Sequence, residues 1–269
     1  MTVQIKASTQ LRGLLAAGTF LHLPSVYDPL TARLAQAAGF EAAYVGGYVT
    51  GAMLATTEPL VTLTEQVEVA GRVAHAVSIP ILADAGAGFG EPLHAMRTVR
   101  EFATAGIAGI HIEDQLYPKR AHYHKHRADA IDEDDYADKI RYACRERDRV
   151  DPDFVVIART DTCRFHGLDE AARRINRAAA EGADLGLLFP RNLDEAKRAP
   201  GACRVPLVYV QSRGNSDGRP LFDRQQLIDM GYVACIDAQV VVGAAFDAVR
   251  NALAELRATG LFTGICPER

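Results

Sequence analysis

The most suggestive residues of this 269-residue chain are charged side chains that end apolar runs. Asp84 closes "PILAD" and precedes "AGAGFG", a string too small to do chemistry. Glu113 closes "GIHIE", and Arg159 stands in "VIARTD". Carboxylates at the ends of neighbouring strands can converge on one hard cation. Mg²⁺ (or Mn²⁺) suits Asp84 and Glu113, since such an ion takes one or two carboxylates, keeps several waters and leaves room for substrate oxygens. The same residues also allow a structural role, with Asp84 capping a turn and Glu113 paired to a Lys or Arg. A guanidinium at Arg159 can hold a substrate carboxylate through two parallel hydrogen bonds, or it can hold a strand-end acid in a salt bridge.

The stretch "KRAHYHKHR" (119–127) places His122, His124 and His126 at alternate positions. On a strand they would share one face, as a transition metal needs. In a polar loop the better reading is a cationic segment closing over an anionic substrate, with His122, Tyr123 or His124 as general acid or base, because an imidazole pKa near 6.5 suits proton transfer. Gly46-Gly47 ends another apolar run, where unobstructed backbone N–H groups can approach an anion or simply make a tight turn. Tyr44 in that run, with Arg191 and Ser212 beyond two later ones, completes the candidate substrate contacts.

Other chemistries lack support. "GAGFG" does not match G-x-G-x-x-G, and no GK[ST] occurs, so nucleotide binding is not indicated. Thirty Lys and Arg against 34 Asp and Glu, interspersed along the chain, argue against nucleic acid as a partner. Five widely spaced cysteines without a CxxC pair suggest neither a disulfide framework nor structural zinc. No apolar run reaches membrane length and "MTVQIKAST" has no signal character, so a cytoplasmic protein is expected.

Positioning these residues falls to eight strand-length apolar runs: 19–24, 42–47, 79–84, 106–114, 154–160, 185–190, 205–210 and 232–237. Between them lie helical patterns such as 28–39, 91–106, 135–148 and 168–182, several ending in Gly, and Thr62 with Glu65 has capping-box spacing. Continuous rather than alternating apolar strands predict a parallel sheet covered on both faces. Eight units of roughly 34 residues predict an α/β fold, a single (β/α)8 TIM barrel over 1–269. Chemistry then belongs at the C-terminal strand ends, with 115–134 as a long active-site loop after strand four.

"PSVYDPLTARLAQAAGFEAAYVGGY", "PILADAGAGFGEP", "AGIAGIHIEDQLYPKR", "DKIR", "VVIARTD" and "FDRQQLIDMGY" together resemble the isocitrate lyase and phosphoenolpyruvate mutase superfamily, in order and spacing, from about residue 9 to 250. The resemblance implies a barrel that forms a homodimer or homotetramer by exchanging its last helix. It also implies Mg²⁺-dependent chemistry on small 2-oxo or 2-hydroxy acids through an enolate. It makes Asp84 and Glu113 metal-site residues, Arg159 the carboxylate-binding Arg, and Gly46-Gly47 the loop holding a substrate oxygen. The chain departs from the pattern at several positions. Gly86 replaces the second Asp of D-x-D, Thr57 stands where an acid is usual with Glu58 beside it, Ala121 replaces the acid/base Cys of K-R-C-G-H, Arg191 replaces a Glu, and Val210 an Asn. Arg191 is expected to pair with a second substrate carboxylate. The leading expectation is a lyase or decarboxylase cleaving a C–C bond of a small (di)carboxylic acid. The alternatives are a phosphonopyruvate or oxaloacetate hydrolase, and a barrel that binds metabolites without turnover.

Overall fold

A computed structural model describes residues 5–120, 129–212 and 218–264. All eight expected strands form: β1 (Leu21–Pro24), β2 (Ala43–Val45), β3 (Ile81–Asp84), β4 (Gly109–Glu113), β5 (Val155–Thr160), β6 (Leu185–Leu188), β7 (Leu207–Gln211) and β8 (Ala234–Asp237). They pair in parallel in the order β1-β8-β7-β6-β5-β4-β3-β2. The ring is completed where Ser25 pairs with Tyr44 and Val26 N–H donates to the Tyr44 carbonyl at 2.8 Å.

Helices follow the strands: α1 (Ala7–Ala16), α2 (Pro29–Ala37), α3 (Gly47–Met53), α4 (Leu63–Ala74), α5 (Pro92–Thr104), α6 (Glu133–Val150), α7 (Cys163–His166), α8 (Leu168–Ala180), α9 (Leu193–Ala202), α10 (Arg224–Met230) and α11 (Val240–Thr259). The four expected helical stretches match to within about two residues, the usual scatter at frayed ends. Thr62 and Glu65 make both halves of the predicted capping box at the start of α4. Gly106, just past α5, has φ +83°, a left-handed conformation that stops the helix at little cost.

Strand residues divide by parity into two cores. Leu21, Leu23, Leu82, Val155, Ile157, Leu185, Leu187, Val208 and Ile236 fill the barrel interior, and their neighbours pack outward against the helices. Side chains two apart share a face. Asp84 therefore continues the inward line of Leu82, Arg159 that of Val155 and Ile157, and Phe189 that of Leu185 and Leu187. On β4 the inward line is Gly109, His111 and Glu113. Gly109 must be small there, because a Cβ would lie 2.6 Å from the Val155 carbonyl.

The expected loop 115–134 has a described base, where Gln115 and Ala130 form an antiparallel bridge and Leu116 N–H donates to Asp129 O at 2.9 Å. At the other end of the chain, α11 has no buried residue. Phe246, Val249, Leu253 and Leu256, spaced along one helical face, are all exposed. No described helix is long and apolar enough to cross a membrane.

Candidate active site

Asp84 sits at the end of β3 with 5% exposure, and both its oxygens are engaged by backbone: Oδ1 accepts from Gly86 N–H at 2.7 Å and Oδ2 from Gly47 N–H at 3.1 Å. It therefore does cap a turn. Burial disfavours its charge, but neighbouring groups, Lys119 and Arg159 among them, hold its pKa well below the usual carboxylate range. His111, its register partner on β4, places Nδ1 3.7 Å from Oδ1, and burial lowers that imidazole to about 4. His111 is thus neutral at pH 7 and adds no charge of its own. Its Nε2 shares a 2.6 Å hydrogen bond with the Tyr44 hydroxyl, whose pKa burial raises. A protonated Tyr44 donating to Nε2 leaves the imidazole proton on Nδ1, facing Asp84.

Glu113 is completely buried and pairs in register with Arg159 of β5. Its oxygens lie 2.9 Å from Lys119 Nζ and 3.1 Å from Arg159 Nη2. Those are ion-pair distances without hydrogen-bond alignment, so neither Glu113 oxygen has a hydrogen-bond partner. Burial outweighs both cations and raises its pKa to about 7. Lys119 Nζ also contacts the Glu58 carboxylate. Arg159 turns Nε toward Asp161 Oδ1 at 3.0 Å, while its Nη1 lies 3.9 Å from Asp84. Among the described residues, ion pairs join four carboxylates, Glu58, Asp84, Glu113 and Asp161, to Lys119 and Arg159.

The network bears on the metal expectation. A buried carboxylate without hydrogen bonds suits a hard divalent cation. A cavity of about 20 Å³, room for one water or ion, is bounded by Gly47, Glu58, Asp84, Gly86 and Lys119. Among the described residues no cluster of three or more His, Cys, Asp or Glu is arranged to hold a metal. The fit is to an ion held by one or two carboxylates and otherwise by water and substrate, not to a zinc-type cage.

Gly47 is sterically required. A Cβ there would stand 2.8 Å from Glu58 Cγ and 3.1 Å from Asp84 Oδ2. Gly86, at the position of the absent second Asp, has φ +49°, and its carbonyl accepts from Glu113 N–H at 2.8 Å, tying β3 to β4.

Of the candidates named from sequence, the structure gathers Tyr44, Gly46, Gly47, Asp84, Glu113 and Arg159. Arg191 goes elsewhere: its guanidinium and its backbone N–H are held by Glu195 of α9. Ser212 lies half-buried just after β7. His122, Tyr123 and His124 lie outside the described residues. Lys119 stood out in sequence only as part of the cationic stretch 119–127, and His111 was hidden inside an apolar run. Buried Cys144, Cys163 and Cys235 have thiols pushed up to about 12 by burial, which keeps them protonated.

Residues 11–257 match the family model described as phosphoenolpyruvate phosphomutase. The chain is 37% identical over 259 residues to a probable 2-methylisocitrate lyase of Corynebacterium glutamicum, covering 94% of this chain and 81% of that protein. It is 34% identical over 249 residues to an oxaloacetate decarboxylase of Pseudomonas savastanoi pv. phaseolicola, covering 91% and 83%. Among solved structures, 2,3-dimethylmalate lyase, a superfamily member, superposes with TM-score 0.91 at 31% identity, covering 98% of this chain and 89% of that one. Phosphonopyruvate hydrolase bound to oxalate and Mg²⁺ superposes with TM-score 0.84 at 28% identity, covering 95% and 88%.

Proposed function

The chain belongs to the phosphoenolpyruvate mutase and isocitrate lyase superfamily, and from that premise we propose that it is a Mg²⁺-dependent enzyme cleaving a C–C bond of a small 2-oxo or 2-hydroxy dicarboxylic acid, as a lyase or a decarboxylase. The observation that carries this reading is Glu113, a fully buried carboxylate without hydrogen bonds, set among ion pairs to Lys119 and Arg159.

Asp84 and Glu113 would hold the ion, which when bound supplies positive charge at the substrate oxygen where negative charge develops. The protein's part is electrostatic and positional. In a 2-oxo acid that loses CO₂ the cleaved bond leaves its electron pair on the retained fragment as an enolate. In a 2-hydroxy acid the hydroxyl gives its proton to the loop after β4 and becomes the new carbonyl, while the pair passes to the carbon beside the second carboxylate. A preorganised positive environment favours either charge in a dry site. Lys119 and Arg159, both buried and ionised, provide it. Arg159 carries the carboxylate of the 2-oxo or 2-hydroxy acid on its Nη1 edge. Gly47, by lacking a side chain, lets the substrate's oxygens approach Asp84 closely. The proton that returns to the enolate carbon comes from His122, Tyr123 or His124 in the loop after β4.

The exposed apolar face of α11 supports a homo-oligomer in which this helix is covered by a second copy of the chain. A P–C or oxaloacetate hydrolase is the second reading, supported by the similarity to phosphonopyruvate hydrolase.

A thermal-shift titration with oxalate, with and without Mg²⁺, tests the proposal. Oxalate at a hundred times its Kd should add about 2.7 kcal/mol of stability. The shift should require Mg²⁺ and vanish in Asp84→Asn. A shift that persists in EDTA would refute the metal assignment. Product analysis then separates C–C from P–C cleavage.

A further inference from the structure

The string "AGAGFG" after Asp84 carries no polar side chain, yet its main chain is held at three successive carbonyls by three different elements. Gly86 O accepts from Glu113 N–H of β4 at 2.8 Å, Ala87 O from Lys139 Nζ of α6 at 2.9 Å, and Gly88 O from Thr98 Oγ1 of α5 at 3.1 Å. Lys139, the lysine of "DKIR", and Thr98 are both buried. The turn needs such holding. Gly86, Gly88, Phe89 and Gly90 have φ of +49°, +74°, +56° and +141°, and a left-handed Phe is uncommon. Backbone of this kind persists where the surrounding structure fixes it.

What the turn itself holds is a pair of acids. Gly86 N–H donates to Asp84 Oδ1 at 2.7 Å, while the carbonyl of the same residue takes Glu113 N–H, so Gly86 is tied to one acid through its side chain and to the other through its backbone. A shift of Gly86 therefore changes the aim of Asp84 and its spacing from Glu113 together. Lys139 and Thr98 fix the next two carbonyls of that turn. Burying an ammonium is costly unless it is bonded, and a charge-assisted bond to Ala87 O is stronger than a neutral donor would make there. We propose that Lys139 and Thr98 are positioning residues for Asp84 and Glu113: they brace turn 85–90 so that the two carboxylates keep one spacing, the one that receives a divalent cation. This inference rests on the proposed function and adds what fixes its metal site from outside. A string without chemistry of its own thus acts through its main chain.

The test reads binding and local opening, not turnover. Mg²⁺ affinity by calorimetric titration, and amide hydrogen exchange of the metal-free protein in EDTA, are measured for wild type, Lys139→Met, Thr98→Val and Thr98→Ser. Losing an outer support of a metal site weakens binding by ~10-fold or more, so Lys139→Met and Thr98→Val should each do so. Thr98→Ser keeps the hydroxyl and should bind as wild type does. The sign of the Lys139→Met effect is decisive. The field of Lys139 reaches Glu113, so a lysine acting through charge alone would, on removal, leave Mg²⁺ bound more tightly. The amides of Gly86, Gly88 and Glu113 should exchange roughly tenfold faster in both weakened variants, while those of Gly186 and Val233, bonded between other strands, keep their rates. Wild-type Mg²⁺ affinity in both variants at a lowered melting temperature would overturn the positioning role, as would tighter binding in Lys139→Met. If Lys139→Met does not fold, Thr98→Val with its rescue by Ser carries the test. The two readings fail separately. A wild type that binds no Mg²⁺, with the three amides still loosened in the variants, would refute the metal assignment and leave the brace. Mg²⁺ binding that neither variant alters, with those amides unchanged, would do the reverse.

Discussion

Lys119 Nζ stands 2.9 Å from Glu113 Oε1 and contacts Glu58 with the same ammonium, so a residue of the loop after β4 bridges the acid at the end of β4 and one in the segment between α3 and α4. This bridge places a fixed cation beside the carboxylate assigned to the metal. Lys119 and a divalent ion therefore share Glu113, and removing one should make the protein depend on the other.

Lys119→Met should destabilise the metal-free protein strongly. Breaking a buried ion pair from one side costs about 3–5 kcal/mol, because the remaining charge is stranded. Millimolar Mg²⁺ should recover part of that loss in Lys119→Met, with a larger rise in melting temperature than in wild type. An equal Mg²⁺ effect in both proteins would separate Lys119 from the metal site.

The pH dependence of Mg²⁺ affinity follows from Glu113. In the metal-free protein burial raises this group to about 7. Below that pH a proton occupies the carboxylate and competes with the ion, and above it the carboxylate is ready. Affinity should be level above pH 8 and weaken by roughly tenfold per unit below 7, since binding then releases one proton. Asp84 adds no slope there, because its pKa is held far below this window. Titrations between pH 5.5 and 8.5 would show the trend, and Glu113→Gln should bind weakly at every pH with the slope gone.

Gly47→Ala probes the close approach directly. The added methyl meets Glu58 Cγ at 2.8 Å and Asp84 Oδ2 at 3.1 Å, so one of the two acids must move. Overpacking of this kind costs about 1–3 kcal/mol, and here it should also weaken Mg²⁺ and oxalate binding. Gly13→Ala is the control: nothing lies within 4 Å of its Cβ, it sits inside α1, and it should stabilise the fold by about 0.5–1 kcal/mol.

The fold was legible because its signals are local. Apolar runs, helix periods and terminal glycines each encode one element, and strand parity sends Asp84, Glu113 and Arg159 into the same mouth. The site was only partly legible, because its remaining members are set by tertiary placement. His111 looks like an interruption in an apolar strand until β3 pairs beside it and brings Asp84 to 3.7 Å. Arg191 pairs with its neighbour four residues on, Glu195, an i,i+4 contact that a reading centred on strand ends passes over.

The last helix carries the remaining prediction. Phe246 is 63% exposed and Leu253 59%, with Val249 and Leu256 completing one face of α11. Residues at i, i+3, i+7 and i+10 form a stripe that a helix normally buries against something. Among the described residues nothing buries this face of α11, and the proposed homo-oligomer would cover it. A second copy supplies the same surface by symmetry, which is the commonest way soluble chains cover such a face. Light scattering after size exclusion should report a dimer or tetramer. Phe246→Glu with Leu253→Glu should dissociate it, because each buried charge would face an apolar partner without compensation. The barrel strands lie outside this contact, so circular dichroism of the dissociated variant should keep its α/β signature. A wild-type monomer at micromolar concentration would remove the basis for oligomerisation through α11.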